Sequence, residues 1–182
     1  MNRFALCYFL LCVSSAATAQ DKEVQAIRTR YQETAKKVQL LEQDPQNAAL
    51  YVHRISLNDK GTPWPAVGNY KKTIKFYFEL GDEQVHTLVR IDITSESAAH
   101  QYATEYLFDA KGQLVFCYDR MPDGQSPENN IEVRYYFSGD KPIRRTEGKT
   151  ISDKPSPEQQ PQAKRLQSDA AELQSLFKAI DK

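Results

Sequence analysis

The chain has 182 residues, and its 24 Lys and Arg residues are balanced by 24 Asp and Glu residues, so its formal net charge at pH 7 is zero. That balance argues against a nucleic-acid-binding protein, which usually carries a basic surface. The length is typical of one domain that can bury a core without a structural metal or disulfides. The three cysteines and three histidines also lack the local spacing of metal ligands, so the sequence predicts no metal and no cofactor.

The first 19 residues have the three parts of a cleaved secretory signal. Arg3 supplies the positive charge, residues 4–13 form an uninterrupted apolar run, and Ala17 and Ala19 occupy the positions that signal peptidase reads. A run of this length is too short to serve as a stable membrane anchor. We therefore expect cleavage before Gln20 and a mature protein that acts in the periplasm or outside the cell.

An amphipathic helix is predicted at the start of the mature chain. From Val24 to Leu41 the mainly apolar stripe recurs every three or four residues, which places it along one face of an α-helix. Asp44 and Pro45 end the pattern, because proline disfavours helical geometry in the residue before it. The helix is expected to pack this stripe on a neighbouring element.

The middle of the chain changes to a period of two, which is typical of β-strands with one buried face. Short turns separate successive runs and favour hairpins between sequential strands. The predicted strands cover residues 50–57, 74–80, 85–93, 102–108, 114–118, 131–137 and 143–147. The first of these seven segments is expected to add to one edge, so the pattern predicts a single antiparallel meander of about six to seven strands. The meander forms one domain with the N-terminal helix over residues 20–152.

Three of the predicted hairpins are similar to one another in sequence. Residues 106–114 parallel residues 135–143, with aromatic residues before the turn and apolar residues after it, and residues 76–82 form a looser copy. This β-hairpin repeat resembles the repeats of MORN-type bacterial proteins, although their glycine-rich consensus is absent. The resemblance implies no particular function, since any hairpin with one buried face would converge on such a pattern.

A second amphipathic helix is predicted at the C-terminal end. Residues 153–162 contain three prolines and are typical of a linker, and residues 163–182 repeat the spacing of apolar side chains by three and four. The two helical stripes could pair as a short coiled coil, or each helix could pack on the sheet. We expect the second arrangement, an α+β fold in which both helices flank one antiparallel sheet. The alternative is a sheet that curls around the N-terminal helix, as in cystatin-like or nuclear-transport-factor-like cones.

No arrangement of catalytic side chains stands out in the sequence, and no G-x-S-x-G motif occurs. His53, His86 and His100 lie in or beside different predicted strands, where each is expected to be partly solvated. Cys117 alternates with aromatic residues in a strand, which predicts a buried, unpaired and non-catalytic thiol. Asp119 opens a polar loop that resembles a calcium loop at three positions, yet the bidentate glutamate is missing and a solvated loop is expected.

Trp64 is the most distinctive candidate for binding, because Pro63 and Pro65 stiffen the backbone on both sides of the only tryptophan. A rigid indole either caps a core or presents a platform for a ligand. A second candidate surface consists of strand residues opposite the main apolar stripe, rich in the Tyr and Arg that recur in binding sites. Its members are Tyr77, His86, Arg90, Arg134 and Tyr136. The alternative is that this face lies in solvent or under a helix.

These features favour a non-enzymatic binding or accessory module with a protein or small-molecule partner. Because Cys117 alone would remain in the mature chain, a bacterial envelope protein fits better than a eukaryotic secreted protein. The competing hypothesis is a small periplasmic, hydrolase-like enzyme with a pocket in a cone-shaped α+β fold. A pocket that holds His53 or His86 beside a carboxylate would favour the enzyme. An exposed apolar patch around Trp64 would favour a protein partner.

Overall fold

The computed structural model of the protein describes residues 6–65, 68–81, 85–97, 100–122 and 129–181, with side chains from residue 19 onward. These residues form two helices, one 3₁₀ turn at Pro45–Asn47 and eight strands. The helices are α1 (Leu6–Gln43) and α2 (Gln160–Ile180). The strands are β1 (Tyr51–Leu57), β2 (Tyr70–Leu80), β3 (His86–Ser97), β4 (His100–Phe108), β5 (Leu114–Pro122), β6 (Asn130–Ser138), β7 (Lys141–Glu147) and β8 (Thr150–Ser152).

All eight described strands form one antiparallel sheet in the order of the sequence, with β1 at one edge and β8 at the other. The predicted α+β class and antiparallel meander are confirmed, whereas the predicted count of six to seven strands is wrong. Alternation does not reveal β8, because its three residues are too few to show a period of two. β5 also extends to Pro122, so Asp119 is a strand residue and not the start of the solvated loop.

The two helices lie on opposite faces of the sheet, which we call the α1 face and the α2 face. On the α1 face, Val24 and Ile27 pack with strand residues such as Leu107, and Val38 packs with Tyr77. On the α2 face, helix α2 buries Ala163, Leu166, Ala170 and Phe177 against the main apolar cluster. Each helical stripe therefore packs on the sheet, and the two helices do not pair as a coiled coil.

One irregularity recurs in three hairpins, where the register shifts by one residue. The shifts fall at Tyr77/Phe78, Leu107/Phe108 and Tyr136/Phe137. In each case the second strand carries the extra residue of a β-bulge. The extra residues are Val89, Val115 and Ile143. All three pack in the clusters on the α1 face, so the hairpin repeat in the sequence is also a repeat in the structure.

The bulge at Val89 places His86 on the face opposite to the one that simple alternation predicts. Without an extra residue, His86 would share the α1 face with Arg90. With it, His86 lies near Phe78 and α2, while Val89 and Arg90 both face α1. His86 is therefore separated from the Tyr and Arg residues with which the sequence pattern groups it.

Candidate functional site

Helix α1 covers most of the Tyr and Arg surface predicted from the sequence. Tyr77, Arg90 and Tyr136 are buried, and Arg28 of α1 donates a hydrogen bond from Nε to the hydroxyl of Tyr136 at 3.2 Å. Arg134 is half-buried and donates to Glu132. This face therefore corresponds to the helix-covered alternative. Trp64 keeps the largest exposed fraction of the predicted binding residues, 47 %.

A network of charged and polar side chains joins β3 and β4 to α1; we call it the Arg90 network. The Arg90 guanidinium donates to the two oxygens of Asp92 at 2.5 and 3.0 Å, and its Nη2 lies 3.0 Å from Glu105 Oε2. The hydroxyl of Tyr31 on α1 donates to the same Glu105 oxygen at 2.7 Å. Burial raises the pKa values of Asp92 and Glu105, although the charge of Arg90 opposes that rise. Each of these groups has a hydrogen-bond or ion-pair partner within the network. The bond from Tyr31 to Glu105 therefore helps to hold α1 on the sheet.

Trp64 lies in the connection between β1 and β2, where local hydrogen bonds hold the backbone. Its N–H donates to Gly68 O at 2.8 Å, and its carbonyl accepts from the Gly68 N–H at 2.9 Å. The Asn58 amide donates to the carbonyls of Thr62 and Tyr70 at 2.8 and 2.6 Å. Gly68 has a φ of 72°, which glycine adopts without strain. The connection thus holds the indole of Trp64 against the Tyr70 ring, with centroids 4.8 Å apart.

Tyr70 also lines a groove of about 550 Å³ between the α2 face and helix α2, which we call the α2 groove. The strand side is lined by Tyr70, Lys72, Ile93, Ser95, Thr104 and Tyr106, and the helix side by Asp169, Glu172, Leu173 and Leu176. Small-molecule sites usually measure about 300 to 1,000 Å³ and combine apolar walls with a few polar groups. The α2 groove has both properties.

Titratable groups with shifted pKa values lie at and beside the α2 groove. The Thr104 hydroxyl donates to Asp119 Oδ1 at 2.9 Å, and Arg165 Nη2 lies 4.0 Å from Asp119 Oδ2. Burial raises the pKa of Asp119, while the Thr104 hydrogen bond and the charge of Arg165 oppose the rise. Burial also raises the pKa of Tyr106, and the negative charge of Asp169 acts in the same direction. Such shifts are common at functional sites.

A second groove, of about 490 Å³, lies near the C-terminal end of α2. There Asp181 Oδ1 accepts hydrogen bonds from His86 Nδ1 at 2.5 Å and from His53 Nε2 at 2.9 Å, an arrangement we call the His–Asp cluster. Burial alone would raise the pKa of Asp181, but the hydrogen bonds from the two histidines outweigh burial and lower it. His100 begins β4 and is not part of the cluster.

The His–Asp cluster has no local signal in the sequence, because its members are far apart in the chain. Asp181 lies 128 residues from His53 and 95 residues from His86. The contact depends on where α2 ends on the sheet, and the apolar spacing of the helix does not determine that position. The histidines were predicted as separate, partly solvated residues, and the structure brings His53 and His86 to one carboxylate.

Cys117 is an unpaired and fully buried thiol, as predicted. Burial raises its pKa well above the usual value, and the charges of Asp119 and Glu105 add to the rise, so the reactive thiolate is disfavoured. Across the described residues, no group of three His, Cys, Asp or Glu side chains is arranged to hold a metal ion. Asp123 and Gly124 of the calcium-like pattern lie outside the described residues. Over its described residues, neither helix is long and apolar enough to cross a membrane.

No protein-family model, no curated protein and no solved structure matches this chain. The likeness of its hairpins to MORN-type repeats is therefore one of local pattern. Its function is inferred from its own surface, in which the α2 groove beside Trp64 and the His–Asp cluster are the two candidate sites.

Proposed function

We propose that this chain is an exported, non-enzymatic binding module whose ligand lies in the α2 groove and extends over Tyr70 and Trp64. The main support for this proposal is the position of Trp64. Backbone hydrogen bonds between Trp64 and Gly68 and a side-chain hydrogen bond from Asn58 hold the β1–β2 connection in place, and nearly half of Trp64 remains open to solvent. A preorganised aromatic platform loses little conformational freedom when a ring stacks on it.

The α2 groove fits a ligand that combines an apolar or sugar ring with hydrogen-bond donors. Apolar contacts come from Ile93, Leu173 and Leu176, hydroxyls from Ser95, Thr104 and Tyr106, and carboxylates from Asp169 and Glu172. Among the described residues that line the groove, Lys72 is the one cation and Asp169 and Glu172 are the two carboxylates, which gives a formal charge of −1. A negatively charged ligand is therefore disfavoured, and a neutral saccharide or an amine is favoured.

Export is part of the proposal and is supported by the signal-like first 19 residues. Cleavage before Gln20 would retain two side chains of α1 that contact the sheet. The Gln20 amide donates to Ile143 O at 2.7 Å, and Asp21 pairs with Arg144 at 2.6 Å. A mature chain that begins at Gln20 thus retains both anchoring side chains.

The single tryptophan allows a direct test, because its indole N–H gives one cross-peak in a two-dimensional NMR spectrum. The mature protein is titrated with neutral oligosaccharides, aliphatic and aromatic amines, and fatty acids. We expect a saturable shift of the Trp64 indole with a saccharide or an amine, and none with a fatty acid. Failure of every compound to shift this signal would contradict the proposal.

Two leucine substitutions locate the binding site. Leu176 lines the α2 groove and is 37 % exposed, and Leu40 is 41 % exposed on the other helix, so neither change disrupts the core. L176R should weaken ligand binding by about tenfold or more, because it places a bulky charge in the groove. L40R is the matched control and should bind as the parent protein does. Equal losses in both variants would place the ligand elsewhere.

A second candidate function, a small hydrolase-like enzyme, is favoured by the His–Asp cluster. A histidine held by a carboxylate is a common general base. No Ser or Cys is among the described residues that line this groove, so such an enzyme would use the base to activate water. Hydrolysis of chromogenic ester or glycoside substrates that is lost in H86A and retained in H100A would support the enzyme. Absence of hydrolysis in the parent protein would remove this candidate.

A further inference from the structure

β1 is an edge strand that, among the described strands, pairs only with β2. All seven of its residues pair in one unbroken register, from Tyr51 opposite Phe78 to Leu57 opposite Lys72. The opposite edge of the sheet, β8, has only three residues. On the outer side of an edge strand, the N–H and C=O groups of alternate residues point away from the sheet without strand partners. β1 therefore offers the longer template for another strand.

β1 also lacks most features that protect edge strands from pairing. It contains no proline or lysine, and its pairing with β2 has no bulge. Its Tyr, Val and Ile residues favour extended backbone. Three of its apolar side chains are exposed, at 48 % for Tyr51, 38 % for Val52 and 44 % for Leu57. Arg54 is the only residue of the strand that is Lys, Arg, Asp or Glu.

We infer that the outer edge of β1 binds an extended segment of a partner protein by β-strand addition, and that this segment carries an acidic residue opposite Arg54. Arg54 is exposed and, within the described part of the chain, has no acidic side chain within 4.0 Å. Its cross-strand neighbour Lys75 is already paired with Glu42 at 2.9 Å. The edge therefore presents an uncompensated positive charge, which a carboxylate on an added strand would neutralise.

The other residues of the added segment can be predicted from the way in which side chains alternate between the two faces along β1. Tyr51, His53, Ile55 and Leu57 lie on the side of the sheet that faces α2, as their β2 partners show. Cross-strand neighbours on one face interact most favourably when their chemistry matches. The added strand should therefore place apolar side chains on the α2 side and its acidic residue on the α1 side.

A second copy of this chain is a poor occupant of the edge. Two-fold antiparallel pairing that uses all seven residues of β1 places Arg54 opposite the same arginine of the second copy. Like charges directly opposite each other destabilise a strand pair. Arg54 thus disfavours self-pairing and favours an acidic partner. Repulsion of one partner combined with attraction of another is a common source of binding specificity.

The test uses the mature protein and two blocked, fluorescently labelled seven-residue peptides, Val-Thr-Val-Glu-Val-Thr-Val and the same peptide with a central lysine. Binding is measured by fluorescence anisotropy. We expect the glutamate peptide to bind about three- to tenfold more tightly than the lysine peptide, as one cross-strand charge pair allows. R54E should reverse this preference. K149E is the matched control, because Lys149 is exposed and lies beside the other edge strand. It should leave the preference unaltered.

Three results would overturn the inference: no binding of either peptide, equal binding of both peptides, or reversal of the preference by K149E. Sedimentation of the protein alone examines self-pairing, and a monomer is expected. A dimer that the glutamate peptide dissociates would assign the edge to a second copy of the chain. Neither R54E nor K149E changes a residue that lines the α2 groove, so their effect on the charge preference can be distinguished from loss of the proposed ligand site.

Discussion

Replacement of Arg90 by methionine should strongly destabilise the protein, because it removes the centre of the Arg90 network. Methionine keeps the length of the side chain and removes its charge. In the parent protein the Arg90 side chain is 8 % exposed and holds the carboxylates of Asp92 and Glu105, each with a side chain 20 % exposed. R90M leaves both carboxylates largely buried without their cation.

The expected loss of stability in R90M follows from the burial of Arg90 and its two carboxylate partners. Removing one partner of a buried ion pair costs about 3 to 5 kcal/mol, since the remaining charge stays desolvated. Glu105 keeps its hydrogen bond from Tyr31, which limits the loss. We therefore expect R90M to lower the free energy of unfolding at pH 7 by about 3 kcal/mol, the lower end of that range.

The loss of stability in R90M should be smaller at acidic pH than at neutral pH. Burial already raises the pKa values of Asp92 and Glu105 in the presence of Arg90, and removal of the arginine should raise them further. A carboxyl group with a raised pKa in the folded protein stabilises the fold while it is protonated. Its contribution is complete below the pKa of the unfolded chain and is lost as the pH rises through the folded pKa. R90M should therefore be less defective at about pH 5 than at pH 7.

Urea unfolding followed by circular dichroism at both pH values measures the effect. R134M is the matched control, because Arg134 pairs with Glu132 on the same face with side chains 36 and 43 % exposed. Exposed pairs contribute less than about 1 kcal/mol. The reasoning would be refuted if R90M lost no more stability than R134M, or lost the same amount at both pH values.

Four further outcomes are expected. The intact mass of protein from an envelope fraction should match residues 20–182, either complete or less one ammonia where Gln20 has cyclised, and a mass that includes Met1 would contradict cleavage. Cys117 should resist thiol reagents until denaturant is added, because burial raises its pKa; rapid labelling of the native protein would show an open site. Deletion of residues 163–182 should lower the melting temperature by about 10 °C or cause aggregation, since it uncovers the α2 face; an unchanged melting temperature would mean that α2 is not needed to cover that face. Asp181 has a lowered pKa, so its stabilising effect is present above the unfolded pKa and lost as the pH falls through the folded pKa; D181N should therefore melt below the parent at pH 7, with a difference that becomes smaller as the pH falls below the unfolded pKa, and a difference that does not change with pH would contradict this role of Asp181.

The fold class was accessible from the sequence because apolar periodicity is a local signal. The spacing of three and four marks both helices, and α1 ends at Gln43, just before the Asp44–Pro45 pair that predicts its end. α2 begins at Gln160, three residues before the predicted start at Ala163, because the proline-rich segment already turns into the helix there. Periodicity shows which side of a helix is buried, and it does not show which face of the sheet receives that side.

The candidate sites depend on such long-range placement and were only partly predicted. Trp64 was identified from its flanking prolines, which are a local signal. Its contact with Tyr70 depends on Asn58, whose side chain bonds to the Tyr70 carbonyl twelve residues away. Asp181 had no distinguishing neighbours in the sequence, and it became part of a site only because α2 ends above His53 and His86.

The repeated bulge explains why simple alternation assigned some side chains to the wrong face. In all three hairpins the strand after the turn contains two adjacent apolar residues, Leu88–Val89, Leu114–Val115 and Pro142–Ile143. A regular strand with one buried face would alternate there, so an apolar pair requires burial on both faces or an extra residue in the strand. Both conditions hold here, because α1 covers one face and α2 the other, and the bulge directs the second apolar residue toward α1. The apolar pair is therefore a sequence signal for the site where α1 packs, and its repetition at three hairpins indicates that one helix crosses all of them.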